Sequence, residues 1–452
     1  MSGVSCRSAN GSSRRLLFVT GSAHPLGGLA TWLDYVLPGL AERGWSPVLG
    51  LVEGLRYHRP ERMLAVHPHS RWIPIPCRTG TPEGRRRALV KALVDACPDV
   101  AVAVNIPDLF PALHAARRAG SETRGLMTVH AIEPELYADA ARFRGVLDGA
   151  AGTNRLACRL LERIAGLESA RVFYAPYGVR SDPARPRPTP GPRLRIGYAG
   201  RLEQPQKRVR DLPRVSRALA RMGIAAMWRV AGSGPEEEAL RRELPAGVTT
   251  FLGAVAAGDL PAHLYQKIDA LLVPSSWETG PLVAWEAMAE GVPVVASRYV
   301  GSGLEEALRD GENALLFEIG DATGAARGLA RLAADPALRE RLATGGHELL
   351  RERFGRERSL DAWEQALESV LALPPLPAAA EPRVPPATGR LERWIGAARA
   401  EDVRGLLGRS GPAAGSGGEW PHAYGGGFDR AEFLQQAADL DRREEARECS
   451  RR

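Results

Sequence analysis

The chain has 452 residues, 44% hydrophobic and 25% charged, a globular balance with enough apolar residues for two hydrophobic cores. Its net charge is +7, but it has no compact block of basic residues with interleaved aromatics, which excludes a typical nucleic-acid-binding surface. The sequence also has no stretch of ~20 apolar residues, the length that a membrane-spanning helix needs. Its five cysteines include no Cys-x-x-Cys pair, which argues against a disulfide framework or zinc site. We therefore expect a cytoplasmic protein and leave open a peripheral position at the inner membrane face.

Short aliphatic runs alternate with segments of helical period from Leu16 onward, which is typical of parallel α/β units. The stretch from Glu53 to Thr81, which contains His58, His67 and His69, is interpreted as loops. The strands predicted in the first half are Leu16–Thr20, Val48–Val52, Val100–Val104, Leu126–Val129 and Val172–Ala175.

A proline-rich stretch from Arg180 to Pro192 has the composition of a linker, and a second alternating series follows it. Helices are predicted from Asp321 to Leu373, the last of them from about Ser359. The chain then becomes rich in Pro, Ala and Gly, with helices expected around Leu391–Leu407 and Arg430–Arg447. The strands predicted in the second series are Arg195–Ala199, Met227–Ala231, Val248–Leu252, Ala270–Val273, Val292–Ala296 and Leu315–Phe317.

Open parallel sheets bind ligands beyond the carboxyl ends of their strands, so the loops that follow the strands are the candidate sites. In the first loop, Gly27 and Gly28 open a helix, where backbone amides can approach a phosphate or a sugar. The loop after Ala199 carries Arg201 and Lys207, two cations that suit the two ends of a diphosphate. The alternative for the first loop is a tight turn that binds no ligand. The alternative for the loop after Ala199 is that its two cations are solvated surface charges.

The loop after Val273 contains Glu278, and the helix that starts near Pro281 contains Glu286. The two carboxylates would thus lie at different depths along one ligand, with free helix-start amides between them. Carboxylates accept hydrogen bonds from sugar hydroxyls, and amides bind phosphate oxygens. His130 ends a first-half strand and could contact a sugar, although a structural role is the alternative.

Taken together, these loops resemble family 4 retaining glycosyltransferases. The most specific matches are Glu278 to Glu286 with the Ala-Met-Ala-Glu-Gly-Val-Pro-Val-Val that follows, and Gly200 to Lys207. Val230 to Pro235 and Ala175 to Val179 also look like stretches of that family. The resemblance covers residues 15–373 and implies the GT-B fold, which is an α/β fold of two facing Rossmann-like domains with a cleft between them.

The resemblance, together with the composition of the two ends of the chain, predicts a division into five segments. They are a flexible N-terminus (1–14), an N-terminal Rossmann-like domain on the acceptor side (15–185), a C-terminal Rossmann-like domain on the donor side (193–358), a helix that crosses back to the first domain (359–373), and a partly helical or disordered tail with a Pro/Gly-rich linker (374–452).

The resemblance also assigns roles to the residues. Arg201, Lys207, Glu278 and His130 would be catalytic, the first two by neutralising the departing diphosphate and His130 by touching the sugar. The full set implied to bind the donor is Gly27, Gly28, Arg201, Lys207, Phe251, Leu252, Glu278, Thr279, Gly280, Pro281, Leu282 and Glu286. Neither a metal nor a cofactor is expected, although Asp439-Leu440-Asp441 is the Asp-x-Asp pattern that other glycosyltransferases use for a metal-bound diphosphate.

The predicted activity is metal-independent transfer of a sugar, with retained configuration, from a nucleotide-diphosphate sugar to an unidentified acceptor (a glycan, lipid-linked or small molecule), in the hexosyltransferase-like EC 2.4 class. The basic stretch from Glu53 to Thr81 hints at an anionic or lipid-linked acceptor. The alternatives are a nucleotide-sugar epimerase or phosphorylase of the same fold, and a non-catalytic nucleotide-sugar-binding protein. No nucleic-acid partner is expected, and the sequence does not predict the oligomeric state.

Overall fold

The computed structural model describes residues 13–23, 27–54, 57–180, 191–377, 389–410, 420–422 and 427–449, except for the side chains of 443–449. The chain forms two compact units. The first comprises residues 1–153, 157–175 and 360–434, and the second comprises 154–156, 176–359 and 435–452. Most of the predicted N-terminus and linkers (1–12, 181–190, 378–388), the glycine-rich patch at 411–418, Gly425, Gly426 and residues 24–26 of the first loop lie outside the described residues.

The first unit is built on a seven-stranded parallel sheet with the strand order β3-β2-β1-β4-β5-β6-β7. Its buried strands are short runs of aliphatic residues, as expected where helices cover both faces. The chain reverses its direction of progress across the sheet between β1 and β4, which makes that point the topological switch. The strands are β1 (Arg15–Thr20), β2 (Ser46–Gly54), β3 (Trp72–Cys77), β4 (Val100–Val104), β5 (Arg124–Val129), β6 (Gly149–Gly152) and β7 (Val172–Tyr174).

The second unit is built on a six-stranded parallel sheet with the order β10-β9-β8-β11-β12-β13. Its switch point lies between β8 and β11. Two clusters of buried side chains pack against this sheet. The strands are β8 (Leu194–Ala199), β9 (Ala226–Ala231), β10 (Thr249–Gly253), β11 (Ala270–Val273), β12 (Val294–Ser297) and β13 (Ala314–Phe317).

Helices alternate with the strands in both units and continue beyond the second sheet. They are α1 (Gly28–Glu42), α2 (Pro60–Val66), α3 (Pro82–Ala96), α4 (Leu109–Arg118), α5 (Pro134–Phe143), α6 (Arg155–Arg163), α7 (Asp211–Arg221), α8 (Glu237–Glu243), α9 (Leu260–His263), α10 (Leu282–Ala289), α11 (Ala322–Ala334), α12 (Pro336–Leu349), α13 (Arg356–Ala372), α14 (Arg390–Ile395), α15 (Ala397–Leu407) and α16 (Arg430–Cys449). In the part of the chain that the structure describes, no helix combines the length and the apolar character needed to cross a membrane.

The predicted α/β class is confirmed, and all eleven predicted strands are present with boundaries that differ by at most two residues. Two strands were missed. β3 contains Pro74 and Pro76, which a strand tolerates only at a sheet edge, where β3 lies. β6 has the sequence Gly-Ala-Ala-Gly and therefore lacks the β-branched residues that indicate a strand.

The interpretation of Glu53 to Thr81 as loops is wrong for nearly half of this stretch, because it contains the helix α2 and the strand β3. Its histidines have structural contacts. His58 is 4% exposed and its Nδ1 accepts a hydrogen bond from the Ser22 amide at 3.1 Å. His67 and His69 both contact the Asp34 carboxylate, at 2.6 and 3.5 Å. These three side chains are therefore held within the unit and do not form a basic surface for an acceptor.

Two cysteines, Cys77 and Cys158, are free thiols, whereas Cys97 is disulfide-bonded. The count and spacing of the cysteines did not predict this bond.

Candidate functional site

The loops after β8 and β11 meet at the switch point of the second sheet. The Ser276 amide donates to the Gln206 carbonyl at 2.7 Å, and the Gln206 side chain donates to the Trp277 carbonyl at 3.2 Å. The Ser276 hydroxyl also donates to the carbonyl of Pro205 at 3.1 Å. These bonds hold the loop that carries Arg201 and Lys207 against the loop that carries Glu278.

Gly232 allows the loop after β9 to approach the loop after β8 at the switch point. A Cβ atom on Gly232 would lie 1.9 Å from the carbonyl oxygen of Gly200, and Gly232 has a φ of +135°. A side chain is excluded by both the contact and the backbone conformation. With glycine there, the Leu202 amide can donate to the Ser233 carbonyl at 2.9 Å, which joins the loops after β8 and β9.

Lys207 and Glu278 form the central ion pair of this site. Lys207 Nζ lies 2.6 Å from Glu278 Oε1, and the side chains are 21% and 9% exposed. The Ser275 hydroxyl donates to the same carboxylate oxygen at 2.7 Å. A partly buried pair of this kind is stronger than a surface pair, because water screens it less. The structure thus brings together a cation and a carboxylate that the sequence places 71 positions apart.

Arg201 lies on the same loop but is more exposed. Its side chain is 61% exposed and contacts Glu203 at 2.9 Å and the Gln206 amide oxygen at 3.0 Å. The backbone carbonyl of Arg201 accepts a hydrogen bond from the buried Tyr198 hydroxyl at 2.9 Å, which fixes the start of the loop. An arginine that is anchored at its backbone and exposed at its guanidinium is accessible to an anionic ligand.

Helix α10 begins directly after Pro281, which suits this position because the first helical residues have no partner for their N–H groups. Gly280 and Gly291, with φ of +134° and +69°, flank the helix. Trp285 stacks on Phe354 with ring centroids 4.6 Å apart and fixes the rotation of the helix.

Glu286 lies on α10 in a different environment from Glu278. The Tyr265 hydroxyl donates to Glu286 Oε2 at 2.7 Å. Burial raises the pKa of Glu286 to about 7, and the Tyr265 bond and the positive charge of Arg356 lower it in part. Glu286 is therefore about half protonated at neutral pH, and a ligand that donates hydrogen bonds to it would favour the charged form.

Phe251 and Leu252 lie on β10, at the far edge of the sheet from β11. The Arg241 guanidinium covers the Phe251 ring at 4.3 Å from its centroid. Phe251 packs against one core cluster and Leu252 against the other. Their side chains are thus engaged with the protein, so that a nucleobase here would contact mainly backbone.

The remaining predicted residues belong to the first unit. Gly27 caps α1, which starts at Gly28, and both glycines are exposed. His130 follows β5 and is 9% exposed, with its ring centroid 4.8 Å from that of Trp32 and 6.2 Å from that of Trp363. Burial lowers the pKa of His130 to about 3, so that its imidazole is neutral at physiological pH.

The Asp-x-Asp pattern lies on α16. Asp441 accepts hydrogen bonds from the backbone amides of Gly301 and Leu304 at 2.7 and 2.8 Å. Asp439 pairs with Arg442 at 2.8 Å. The two carboxylates therefore have separate partners within the protein.

A cavity of about 690 Å³ lies elsewhere in the second unit and is lined by residues of 306–313 and 337–353. None of the described residues predicted to bind the donor lines it. The chemistry of the switch point, rather than this cavity, identifies the candidate site.

Sequence reasoning missed three residues that position the site. Gln206 lies in the segment from Gly200 to Lys207, and Ser275 lies in the loop after Val273. For both, a polar side chain near charged residues was the available signal. Tyr265 lies 21 positions before Glu286 and carried no signal, because only the fold brings it to the carboxylate.

Comparison with known proteins gives a consistent picture. Residues 193–335 match the family model described as "Glycosyl transferases group 1". The lipopolysaccharide core biosynthesis glycosyltransferase LpsE of Rhizobium meliloti is 37% identical over 153 residues, 34% of this chain. A D-inositol 3-phosphate glycosyltransferase of Actinosynnema mirum is 35% identical over 240 residues, 47% of this chain. This chain spans about half the length of the relatives it matches, 44% of the first and 54% of the second.

Among solved structures, Anabaena HepE in complex with UDP and glucose covers 79% of this chain and 100% of its own, with a TM-score of 0.64 and 18% identity. The sucrose-phosphate synthase of Thermosynechococcus elongatus covers 80% and 100%, with a TM-score of 0.64 and 20% identity. At this identity the likeness shows the fold, an α/β fold of the GT-B type.

Proposed function

We propose that this chain, whose residues 193–335 match the family model described as glycosyl transferases group 1 and which has the GT-B fold, is a retaining glycosyltransferase. It would transfer a sugar from a nucleotide-diphosphate sugar to an acceptor, without a metal ion. The observation that carries the proposal is the Lys207–Glu278 pair, held by hydrogen-bonded loops at the switch point of the second sheet.

The pair supports diphosphate binding because it provides a cation that is already partly desolvated. In the protein alone, Glu278 neutralises Lys207. A diphosphate brings its own negative charge, so that Lys207 can bind phosphate while the Glu278 carboxylate becomes an acceptor for sugar hydroxyls. Arg201, on the same loop, would add a second cation, and the first amides of α10 would contribute hydrogen bonds.

The same groups support catalysis as well as binding. Transfer of the sugar leaves the nucleoside diphosphate with increased negative charge, and fixed cations stabilise that charge in the transition state. Glu286 would bind the ribose hydroxyls, and neutral His130 would contact the sugar. Anabaena HepE binds UDP and UDP-glucose according to its structures, so UDP is the first nucleotide to test.

Nucleotide binding is the first experiment. The full chain is titrated with UDP, GDP and ADP, and at a hundred times its Kd the preferred nucleotide stabilises the protein by about 2.7 kcal/mol. In the Lys207→Ala variant we expect its affinity to fall by about tenfold to a hundredfold, the loss of one charged hydrogen bond. The matched control is Lys267→Ala, which removes an exposed lysine of the same unit. Equal affinity in both variants would refute the assignment.

Turnover separates the alternatives. A transferase releases free sugar and nucleoside diphosphate slowly when water replaces the acceptor, and with retention the first-formed anomer matches that of the donor. An epimerase returns an isomerised donor, and a phosphorylase consumes the donor's sugar only with inorganic phosphate. Nucleotide-sugar binding without turnover would support a non-catalytic protein.

A further inference from the structure

The chain after α13 contacts the carboxyl edge of the first sheet. We call residues 389–434 the C-terminal extension. Its described residues contact the ends of three strands: Glu401 lies at the loop after β3, the Trp420 indole N–H donates to Asp108 after β4 at 2.6 Å, and Arg430 pairs with Glu133 after β5. This is the edge at which parallel sheets bind ligands.

The contact of Glu401 has the geometry of a bound anion. The Thr79 hydroxyl donates to Glu401 Oε1 and the Thr81 hydroxyl donates to Oε2, both at 2.6 Å. Glu401 is 8% exposed, and both hydroxyls are buried. Among the described residues its carboxylate forms no ion pair. Hydroxyl groups, rather than a neighbouring cation, therefore satisfy this carboxylate.

A long helix begins at the same point. Thr81 caps α3, which has 15 residues, and its hydroxyl oxygen accepts a hydrogen bond from the Gly84 amide at 3.0 Å. The amino end of such a helix carries positive potential and favours an anion. A Cβ atom on Gly84 would lie 2.4 Å from Glu401 Oε1, so that only glycine lets the carboxylate approach the helix this closely.

We propose that Thr79, Thr81 and the start of α3 form an anion-binding subsite for a phosphate group of the acceptor, and that Glu401 of the C-terminal extension occupies it as an intramolecular competitor. The inference rests on the proposed function, since it names the chemical class of that reaction's acceptor. A phosphate group carries at least the negative charge of the Glu401 carboxylate and has one more oxygen. The Glu83 amide of α3 would be the donor to that oxygen, since Pro82 has no N–H and the Gly84 amide already donates to Thr81. Acceptor binding would then require displacement of α15 from α3.

Binding of inorganic phosphate tests the proposal without turnover. Phosphate is titrated by calorimetry into the full chain, the Glu401→Ala variant and the control Asp402→Ala. Asp402 is the neighbouring acid, which pairs with Arg87 at the surface. We expect Glu401→Ala to bind phosphate at least about tenfold more tightly than the wild type, and Asp402→Ala to behave as the wild type.

A second variant locates the binding. In the Thr79→Ala/Glu401→Ala double variant, phosphate affinity is expected to return to the wild-type value, because one of the two hydroxyl donors is missing. Phosphate binding that is equal in the wild type and Glu401→Ala, or that persists in the double variant, overturns the proposal.

Glu401→Gln keeps the shape of the side chain and serves if the alanine variant does not fold. It removes the charge and is expected to bind phosphate more tightly than the wild type; equal affinity again overturns the proposal. UDP titration of the same samples separates this result from the proposed function, since Lys207 and Glu278 are unchanged. A chain that binds UDP but whose phosphate affinity does not depend on Glu401 retains the proposed function and loses the subsite.

Discussion

Affinity for the nucleoside diphosphate is expected to depend on pH through Glu286. Burial raises the pKa of this carboxyl from 4.5 to about 7. If ribose hydroxyls donate to Glu286, the ligand binds only the ionised form, and binding releases a proton from the protonated fraction. Affinity should then be about thirtyfold lower at pH 5.5 than at high pH, because about one molecule in thirty is ionised there. At pH 8 the loss is only about 10%.

Calorimetry between pH 5.5 and 8, in buffers with different ionisation enthalpies, measures both the affinity and the number of protons released. The terminal phosphate of the nucleotide also titrates near pH 6. The Glu286→Gln variant measures the pH dependence that comes from this phosphate alone, because a glutamine side chain has no proton to release. An affinity that depends on pH in the same way in the wild type and in Glu286→Gln would show that Glu286 does not bind the ribose.

The Glu286 carboxyl also affects the free energy of unfolding of the ligand-free protein. This contribution falls as pH rises, whereas the nucleotide affinity increases. The folded-state pKa of Glu286 lies above the value of about 4.5 expected when unfolded, so that the folded state binds the extra proton. Its contribution to stability is fully present below pH 4.5 and is lost as pH rises through 7. The contribution lost is about 3 kcal/mol, and denaturant unfolding of the wild type and Glu286→Gln at pH 5 and 8 measures this difference.

Three further changes have expected outcomes. Tyr265→Phe removes a hydrogen bond that favours the ionised form of Glu286, so the midpoint of the pH dependence should move above 7, and an unchanged midpoint contradicts the assignment. Gly232→Ala places a Cβ 1.9 Å from the Gly200 oxygen and should lower the free energy of unfolding by about 1–3 kcal/mol, with weaker nucleotide binding, whereas Gly258→Ala is the control at an open position. Trp420→Phe removes an indole donor from a buried carboxylate and should cost about 1–3 kcal/mol of stability in urea unfolding; no loss would mean that the extension is not docked there.

The sequence was sufficient for the alternation of strands and helices because most buried strands are continuous aliphatic runs bounded by glycine or proline. It was insufficient at β3 and β6, where edge prolines and small residues conceal a strand that only its neighbours stabilise. The charged residues of the switch point could be named in advance because loops after parallel strands converge there. The pairing of Lys207 with Glu278 could not be predicted, because it depends on side-chain positions in two different loops.

The contacts of the C-terminal extension were beyond sequence reasoning for a different reason. Glu401 lies in a predicted helix and Trp420 follows a glycine-rich stretch. Neither helical periodicity nor composition reports individual contacts. Thr79 and Thr81 gave no signal because hydroxyl residues before a helix are common as caps. A contact between positions more than 300 residues apart has no local pattern.

The first compact unit is assembled from three separated stretches of the chain, the last of which is residues 360–434. During synthesis, residues 1–153 leave the ribosome long before the segment that supplies Trp420 and Glu401, and the whole of 176–359 is made in between. The buried Asp108 and the two threonine hydroxyls therefore stay solvated until residues 360–434 have been made. Most of the second unit, residues 176–359, is therefore made before the first unit has its last segment, and the first unit cannot complete its contacts until then.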